Sequence, residues 1–359
     1  MKPTAWQSFK YFFKQHWLTV SFVMGFFTDL ILLNRIDDFA DSMILLFYAT
    51  LATTTLLLFY IGVAQKMGER VSRFLTRFMP MVMQYSFGGL LSGMLIFYGR
   101  SGDWVTSAPF LLLIISVIAG NELVHKRSDR LVYHLALYFI GIFSYIVLIL
   151  PLLFGAMGDL MFILSGLTAL IVVSIVVQLL YRIVPHFMRV NTRRVILVLG
   201  AIYATLHILY FTSVIPPIPL SLIEIQIAHS VVKTDDGAYR IVTETQPWWR
   251  TRPFTKAILR PDTPALACFA RVYAPAKLQV EIYHRWQYLD SKGTWVERAR
   301  IKYPIAGTNR GGYRGYTTIE NTSNGTWRCS VETGRGQVLG RAIVNVETGS
   351  GTQTVTQIR

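Results

Sequence analysis

The sequence is short of charge, of cysteine and of any catalytic pattern. Only 15% of its 359 residues are charged, and 52% are hydrophobic. The scarcer sign is negative: 20 Asp and Glu stand against 35 Lys and Arg, a formal net charge of +15. Two cysteines permit a single pairing and no disulfide-dense scaffold. HExxH, a histidine cluster and zinc-type spacing are absent, as is GxSxG. Gly311-Gly312 is an isolated glycine pair, not a phosphate loop. These absences leave no catalytic residue, metal or cofactor to expect. Internal repeats and low-complexity tracts are missing too.

What the chain does have is seven long apolar runs: Trp17–Asn34, Met43–Ala64, Met81–Tyr98, Pro109–Val124, Leu131–Leu153, Leu160–Tyr181 and Val195–Ile215. A bilayer core needs about 20 apolar residues per helix. The runs are continuous rather than alternating, so they predict helices, not barrel strands. The first run follows a basic leader but lacks a small-residue cleavage site, with Asp29 and Asn34 in its place. A retained span is therefore expected rather than a signal peptide.

The loops between the runs alternate in charge. Lys2, Lys10 and Lys14 precede the first run, and Lys66, Arg70, Arg73 and Arg77 follow the second with Glu69. Lys126, Arg127 and Arg130 follow the fourth with Asp129, and Arg182, Arg189, Arg193 and Arg194 follow the sixth. The intervening loops hold Arg35 and Arg100 against Asp37, Asp38, Asp41, Asp103 and Asp159. Positive loops face the cytoplasm. Seven spans with the N-terminus inside put the last 140 or so residues outside. The alternation also absorbs much of the net charge, so the basic balance is not a nucleic-acid signature. Within Gln65–Pro80, Val71, Phe74, Leu75 and Phe78 interleave with the arginines, predicting an amphipathic helix on the anionic leaflet.

After Pro216-Pro217-Ile218-Pro219 the hydrophobic period becomes two. Leu266, Cys268, Ala270 and Val272 share one strand face; Ile282, His284, Trp286 and Tyr288 share another. Trp295, Ala299, Ile301 and Tyr303 form a third series, interrupted at Glu297; Trp327, Cys329 and Val331 form a fourth. Val338, Gly340, Ala342, Val344 and Val346 form a fifth. Turn residues such as Ser291-Lys292-Gly293 and Asn324-Gly325 separate them. The order Cys268, Trp286, Cys329 is that of immunoglobulin-type sandwiches, where a Trp packs on a bridge between sheets. The expected fold class is therefore an α-helical polytopic membrane domain of seven spans followed by an all-β, immunoglobulin-like antiparallel sandwich. The divisions are 1–215 for the membrane domain, 216–220 for a stiff exit, 221–348 for the sandwich and 349–359 for a loose tail. Outside the cytoplasm a Cys268–Cys329 bridge is permitted; two buried free thiols are the alternative.

A resemblance covers most of the chain. His284-Arg285-Trp286, Gly312 to Thr317 (GYRGYT), Gly325-Thr326-Trp327-Arg328 and Gly336 to Gly340 (GQVLG) resemble the bacterial family known as domain of unknown function 2914. Gly25–Asp37, Gln84–Gly93 and Asn121-Glu122 are similar to the multi-span regions that accompany that domain. The resemblance implies a bacterial inner-membrane protein and no assigned activity. A Val usually follows the Trp-Arg pair in that pattern. Cys329 stands there instead, so a bridge would be particular to this branch.

Several residues invite a functional reading. Asp29 lies within the first apolar run with Arg35 near its outer end. A carboxylate in a bilayer usually faces protein, as an ion or proton site or a polar seam; a hydrogen-bonded interfacial carboxylate is the plainer alternative. Asn121 and Glu122 close the fourth run, where Glu122 and Lys126 suit a boundary ion pair. His134 and His207 are lone intramembrane histidines, more ordinarily packing residues than ligands. Gly88/Ser92 and Gly89/Gly93 form a small-residue face for close helix packing, or for a homo-oligomer. Arg285, Arg298, Arg300, Arg314 and Tyr316 fall opposite the core series, either as a basic patch for an anionic envelope ligand or partner, or as a solvated sheet face. Together these features predict an integral membrane envelope protein whose periplasmic sandwich binds a ligand or partner. The competing expectation is a transporter or membrane enzyme, with Asp29, Glu122 and His134 lining one cavity and the sandwich as a lid.

Overall fold

The computed structural model describes residues 20–33, 39–101, 108–116, 127–215, 220–244, 257–274, 280–305, 312–347 and 354–358, apart from scattered positions within these stretches. The chain forms two compact units, residues 1–99 with 108–215 and residues 100–107 with 216–359.

The first unit is helical. Its long helices are α1 (Phe39–Val63), α2 (Glu69–Ser101), α3 (Arg127–Phe154), α4 (Asp159–Ile183) and α5 (Pro185–Phe211), and further helical residues lie between positions 20 and 32. All five are long and apolar enough to cross a membrane. The fourth apolar run of the sequence falls largely outside the described residues, and the first is described in part.

Two boundaries differ from expectation. The amphipathic stretch after the second run is not a separate surface helix. It is the first part of α2, which continues through Pro80. A proline inside a membrane helix is tolerated because neighbouring groups re-satisfy the freed carbonyl. Helix α5 starts at Pro185, ahead of its apolar run, because a first-turn proline has no N–H to leave unpaired.

The second unit is built from β1 (Ser221–Ala228), β2 (Ser230–Lys233), β3 (Tyr239–Glu244), β4 (Ala257–Leu259), β5 (Ala265–Tyr273), β6 (Val280–Leu289), β7 (Trp295–Ile305), β8 (Tyr313–Glu320), β9 (Gly325–Thr333), β10 (Val338–Val346) and β11 (Thr354–Ile358). They form three sheets, ordered β1-β5-β8, β4-β10-β9-β6-β7 and β11-β3-β2. Every pairing is antiparallel except β4 with β10, which is parallel.

The β1-β5-β8 sheet lies in the middle. One face packs Ile227, Leu266, Cys268 and Ile319 against Trp286, Trp327, Cys329 and Val344 of the five-stranded sheet. Its other face packs Ala228, Ala267 and Phe269 against Val231 and Ile241 of the small sheet. Side chains alternate along a strand, so a strand covered on both faces must be apolar throughout. Leu266 to Ala270 are accordingly all buried. The sequence showed one apolar face of β5, and the fold uses both.

The interruption at Glu297 is a β-bulge. Trp286 pairs with Ala299, but Gln287 pairs with Glu297, leaving Arg298 as the extra residue. The turn after β6 is held by Asp290, whose side chain accepts from the Lys292 and Thr294 backbone amides at 2.9 and 2.7 Å. Gly293 supplies the positive φ of 79° that this turn requires.

Candidate functional site

In the helical unit, Asp29 is completely buried. The Tyr48 hydroxyl of α1 donates to one carboxylate oxygen at 2.8 Å, and the Ser92 hydroxyl of α2 donates to the other. Glycines let these helices close around it. A Cβ on Gly25 would lie 2.5 Å from the Tyr85 carbonyl, one on Gly89 would lie 2.7 Å from the Tyr48 ring, and one on Gly93 would lie 2.6 Å from Leu45. The small-residue face of α2 is thus used within the chain, and Asp29 sits at a three-way polar seam.

His134 belongs to a second seam. It shares a hydrogen bond with the Tyr60 hydroxyl at 3.2 Å, and Thr53 shares one with Tyr138 at 2.8 Å, joining α1 to α3. Tyr48 and Tyr60 are separated by 12 positions on α1, about 18 Å at 1.5 Å per residue. Asp29 and His134 therefore hold different levels of the bundle. Arg35, Asn121 and Glu122 lie outside the described residues.

In the β unit, Cys268 of β5 and Cys329 of β9 form a disulfide with Cα atoms 6.5 Å apart, tying the middle sheet to the five-stranded sheet. Trp286 is fully buried in the same cluster. Its indole N–H donates to the Thr317 hydroxyl at 3.1 Å, and that hydroxyl lies 2.9 Å from His284 Nδ1. Burial holds the His284 imidazole down to about 3, so it is neutral at physiological pH. The ligand atoms of Cys268, His284 and Cys329 lie within 4.8 Å of one another. In the disulfide form those sulfurs are bonded together and offer no thiolate to a metal.

The sequence-derived basic patch is divided by the fold. Arg285, Arg298 and Arg300 lie on β6 and β7 of the five-stranded sheet, whereas Arg314 and Tyr316 lie on β8 of the middle sheet. Tyr316 packs edge-on to Tyr239 at 6.0 Å, and Tyr239 donates to the Arg314 carbonyl.

The outward face of β6, β7 and β9 is a lattice of engaged side chains. Arg285 bridges Glu297 at 2.7 Å and Glu332 at 3.5 Å. Arg300 lies 4.3 Å over the Tyr283 ring and donates to the Gly334 carbonyl at 3.1 Å. Arg328 lies 4.1 Å over Trp295 and donates twice to Gln287 Oε1, at 3.0 and 2.6 Å. Arg298, expected on this face, is instead the bulge residue and sits 5.6 Å from the ring of Tyr288, which packs on the core side of β6. Lys302 pairs with Glu281 at 2.5 Å. Burial pushes the Glu332 carboxyl up, opposed by Arg285. Both signs are present, so the face is polar and planar rather than simply basic. Tyr283, Gln287 and Glu332 escaped the sequence reading, Arg328 entered it only as part of a motif, and Trp295, grouped there with Ala299 and Ile301, lies on the outward face because the bulge at Arg298 reverses the alternation. The alternation of β9 carried the signal, because inward Trp327, Cys329 and Val331 leave Arg328, Ser330 and Glu332 outward.

Residues 279–346 match the family described as protein of unknown function (DUF2914). The DUF2914 match begins at β6 and ends with the last residue of β10. It contains the whole lattice, the His284–Thr317–Trp286 node and Cys329. Cys268 lies before it, so the disulfide ties the DUF2914 segment to a strand outside that segment. The curated proteins yield no match. Among solved structures, the Pseudomonas fluorescens alkylpurine DNA glycosylase AlkC, bound to DNA containing an abasic site analog, is similar at 12% identity over 91% of each chain. Its TM-score of 0.17 carries no argument about fold or ligand.

Proposed function

We propose that this chain is an envelope protein of a bacterial inner membrane, with seven spans, a cytoplasmic N-terminus and a periplasmic C-terminal sandwich that binds a partner. Two contacts support the topology. Lys66, in the second loop, donates to the Arg182 carbonyl in the sixth at 2.7 Å, so two basic loops share one end of the bundle. Tyr210, near the end of the last helix, donates to Asp159 of the acidic fifth loop at 3.4 Å, so both sit at the other end. That is the alternation the positive-inside rule requires.

The sandwich is read as immunoglobulin-like. Strands β5, β6 and β9 take the places of B, C and F, with the disulfide between B and F and Trp286 on C. Trp327, two residues before Cys329, donates to the Ser323 carbonyl at 2.8 Å, the place and bond of the tyrosine corner.

The lattice on β6, β7 and β9 carries the binding reading. Stacked arginines and aromatics, held by carboxylates and carbonyls, form a pre-ordered surface that loses little side-chain entropy on association. Arg and aromatic residues are also the types that dominate interface energetics. The partner is a polar envelope component, a protein face or an anionic glycan, and the chemistry is binding without catalysis. A photo-crosslinking residue in place of Tyr283 of the full-length protein, illuminated in cells, tests this. A discrete adduct from position 283 and none from an exposed control at Val232 is expected. Equal labelling at both positions overturns the reading.

A further inference from the structure

The outer face of the middle sheet carries a row of charge that lies apart from the lattice. Glu224 of β1 pairs in register with Arg271 of β5, and Arg271 with Arg314 of β8. Side chains alternate along a strand, and Ala267 and Phe269 of β5 face the small sheet. Arg271 and Arg314 share that face, side by side on neighbouring strands. The next row, Phe269 with Tyr316, is covered by Tyr239 of the small sheet, whose ring lies 5.5 and 6.0 Å from theirs. Tyr239 thus walls one side of the arginine row, and the row itself stays partly exposed.

The charges in this row do not balance. Like charges directly opposite on adjacent strands repel. The Glu224 carboxylate lies 3.8 Å from the Arg271 guanidinium and answers one of the two positive charges. Arg314 makes no ion pair among the described residues, and Nε of both arginines is buried without a hydrogen-bond partner. The row is one negative charge short, in a half-buried setting where an unanswered charge is costly. Paired guanidinium forks match the oxygens of an oxyanion, so the balance selects a singly charged one.

An apolar shoulder narrows the class. Leu222 pairs with Val272 and Glu224 with Arg271, so Ile223 is a bulge residue, and it is 44% exposed. A Cβ on Gly312 would lie 2.6 Å from Ile223 Cδ1 and 3.2 Å from Arg271 Cγ, so the isoleucine and the arginine stem border one notch. An inorganic ion has nothing to set against that isoleucine. A carboxylate carries its single carbon stem directly away from its oxygens. A phosphodiester carries one charge and two carbon arms that splay sideways. We propose that Arg271 and Arg314 bind a phosphodiester, one non-bridging oxygen on each guanidinium and one carbon arm on Ile223. The site belongs to a different sheet from the lattice and is independent of what the lattice binds.

The test titrates the full-length protein in dodecyl maltoside with dimethyl phosphate and follows the phosphorus NMR line width. Saturable broadening is expected, with sodium acetate a competitor about threefold weaker or worse. Arg314→Gln and Arg271→Gln should each weaken binding about tenfold. Arg314→Lys should weaken it less, because it keeps the charge and loses the fork. Arg240→Gln, at an exposed arginine of the small sheet, should change nothing. If one Gln variant does not fold, the other and Arg314→Lys decide. Repeating the titration in phosphatidylglycerol nanodiscs separates the sources: exclusion of dimethyl phosphate assigns the site to a lipid headgroup, and retained binding assigns it to a phosphodiester outside the bilayer. Broadening that does not saturate, equal competition by acetate, or binding unchanged in the Gln variants overturns the site.

Discussion

The two units bury polar groups in opposite ways. In the helical unit, buried polar side chains meet in small separate seams, Asp29 with Tyr48 and Ser92, His134 with Tyr60, Tyr138 with Thr53. In the β unit the bridged core holds one shared node, where Trp286 and His284 share the Thr317 hydroxyl beside the Cys268–Cys329 bridge, while the buried Glu244 and Glu332 lie apart from it beside Arg260 and Arg285. The difference follows from geometry. A helix satisfies its own backbone, so side-chain hydrogen bonds are left to choose which helices touch and where. A sandwich depends on holding two sheets face to face, and its inner polar groups crowd the point where the sheets are tied. Stability should accordingly be distributed in the first unit and concentrated in the second.

The strongest break of this contrast is Trp286→Ala. Loss of a fully buried indole from the tied core should cost about 3–5 kcal/mol and lower the melting temperature of the β unit alone. Circular dichroism of the full-length protein in detergent separates the two, because the helical signal should persist after the sheet signal is lost. Equal loss of both would erase the contrast. Next comes reduction of the bridge, or Cys268→Ser with Cys329→Ser. Closing a loop of 61 residues contributes about 4 kcal/mol in the chain-entropy account. Thermal melts with and without dithiothreitol should differ for the β unit and coincide for the helices.

Acidification makes a finer comparison. In the unfolded chain the His284 imidazole titrates near 6.5, and in the fold it is held to about 3. Between those values the unfolded state binds the extra proton, so stability present above pH 6.5 falls as pH drops. The slope is about 1.4 kcal/mol per pH unit. Urea titrations monitored by Trp fluorescence at pH 7, 6 and 5 should show it, and His284→Gln should flatten it. The smallest effect belongs to the helices. Asp29→Leu leaves the Tyr48 and Ser92 hydroxyls without their shared acceptor, for about 0.6–1.7 kcal/mol by analogy with membrane-protein cycles. If Asp29→Leu destabilises more than Trp286→Ala, stability is concentrated in the helices after all.

Much of this was legible beforehand, for identifiable reasons. Apolar runs declare membrane helices because length and hydropathy are local properties, and α1, α3 and α4 begin and end near the runs that predicted them. The order Cys268, Trp286, Cys329 pointed to a bridged core because alternation places all three on inward faces. The boundary of α2 was misjudged because Pro80 reads as a stop in water and is tolerated in a bundle. The candidate patch was judged from strand faces alone. Face assignment tells inward from outward but not which sheet a strand joins, so Arg314 and Tyr316 were grouped with arginines of another sheet.

The sequence by itself determined the helices long and apolar enough to span a membrane, the change of period after the prolines and the inward series of β6, β9 and β10, because each is written in spacing along one segment. Only the tertiary structure decided that β5 is buried on both faces, that Asp29 meets Tyr48 and Ser92, and that Arg285 of β6 is ion-paired while Arg300 of β7 and Arg328 of β9 are stacked on aromatic rings. Those outcomes depend on which distant segments meet. Partners 19, 63 or 31 positions away, as for Asp29 and Trp286, leave no periodic mark on the chain.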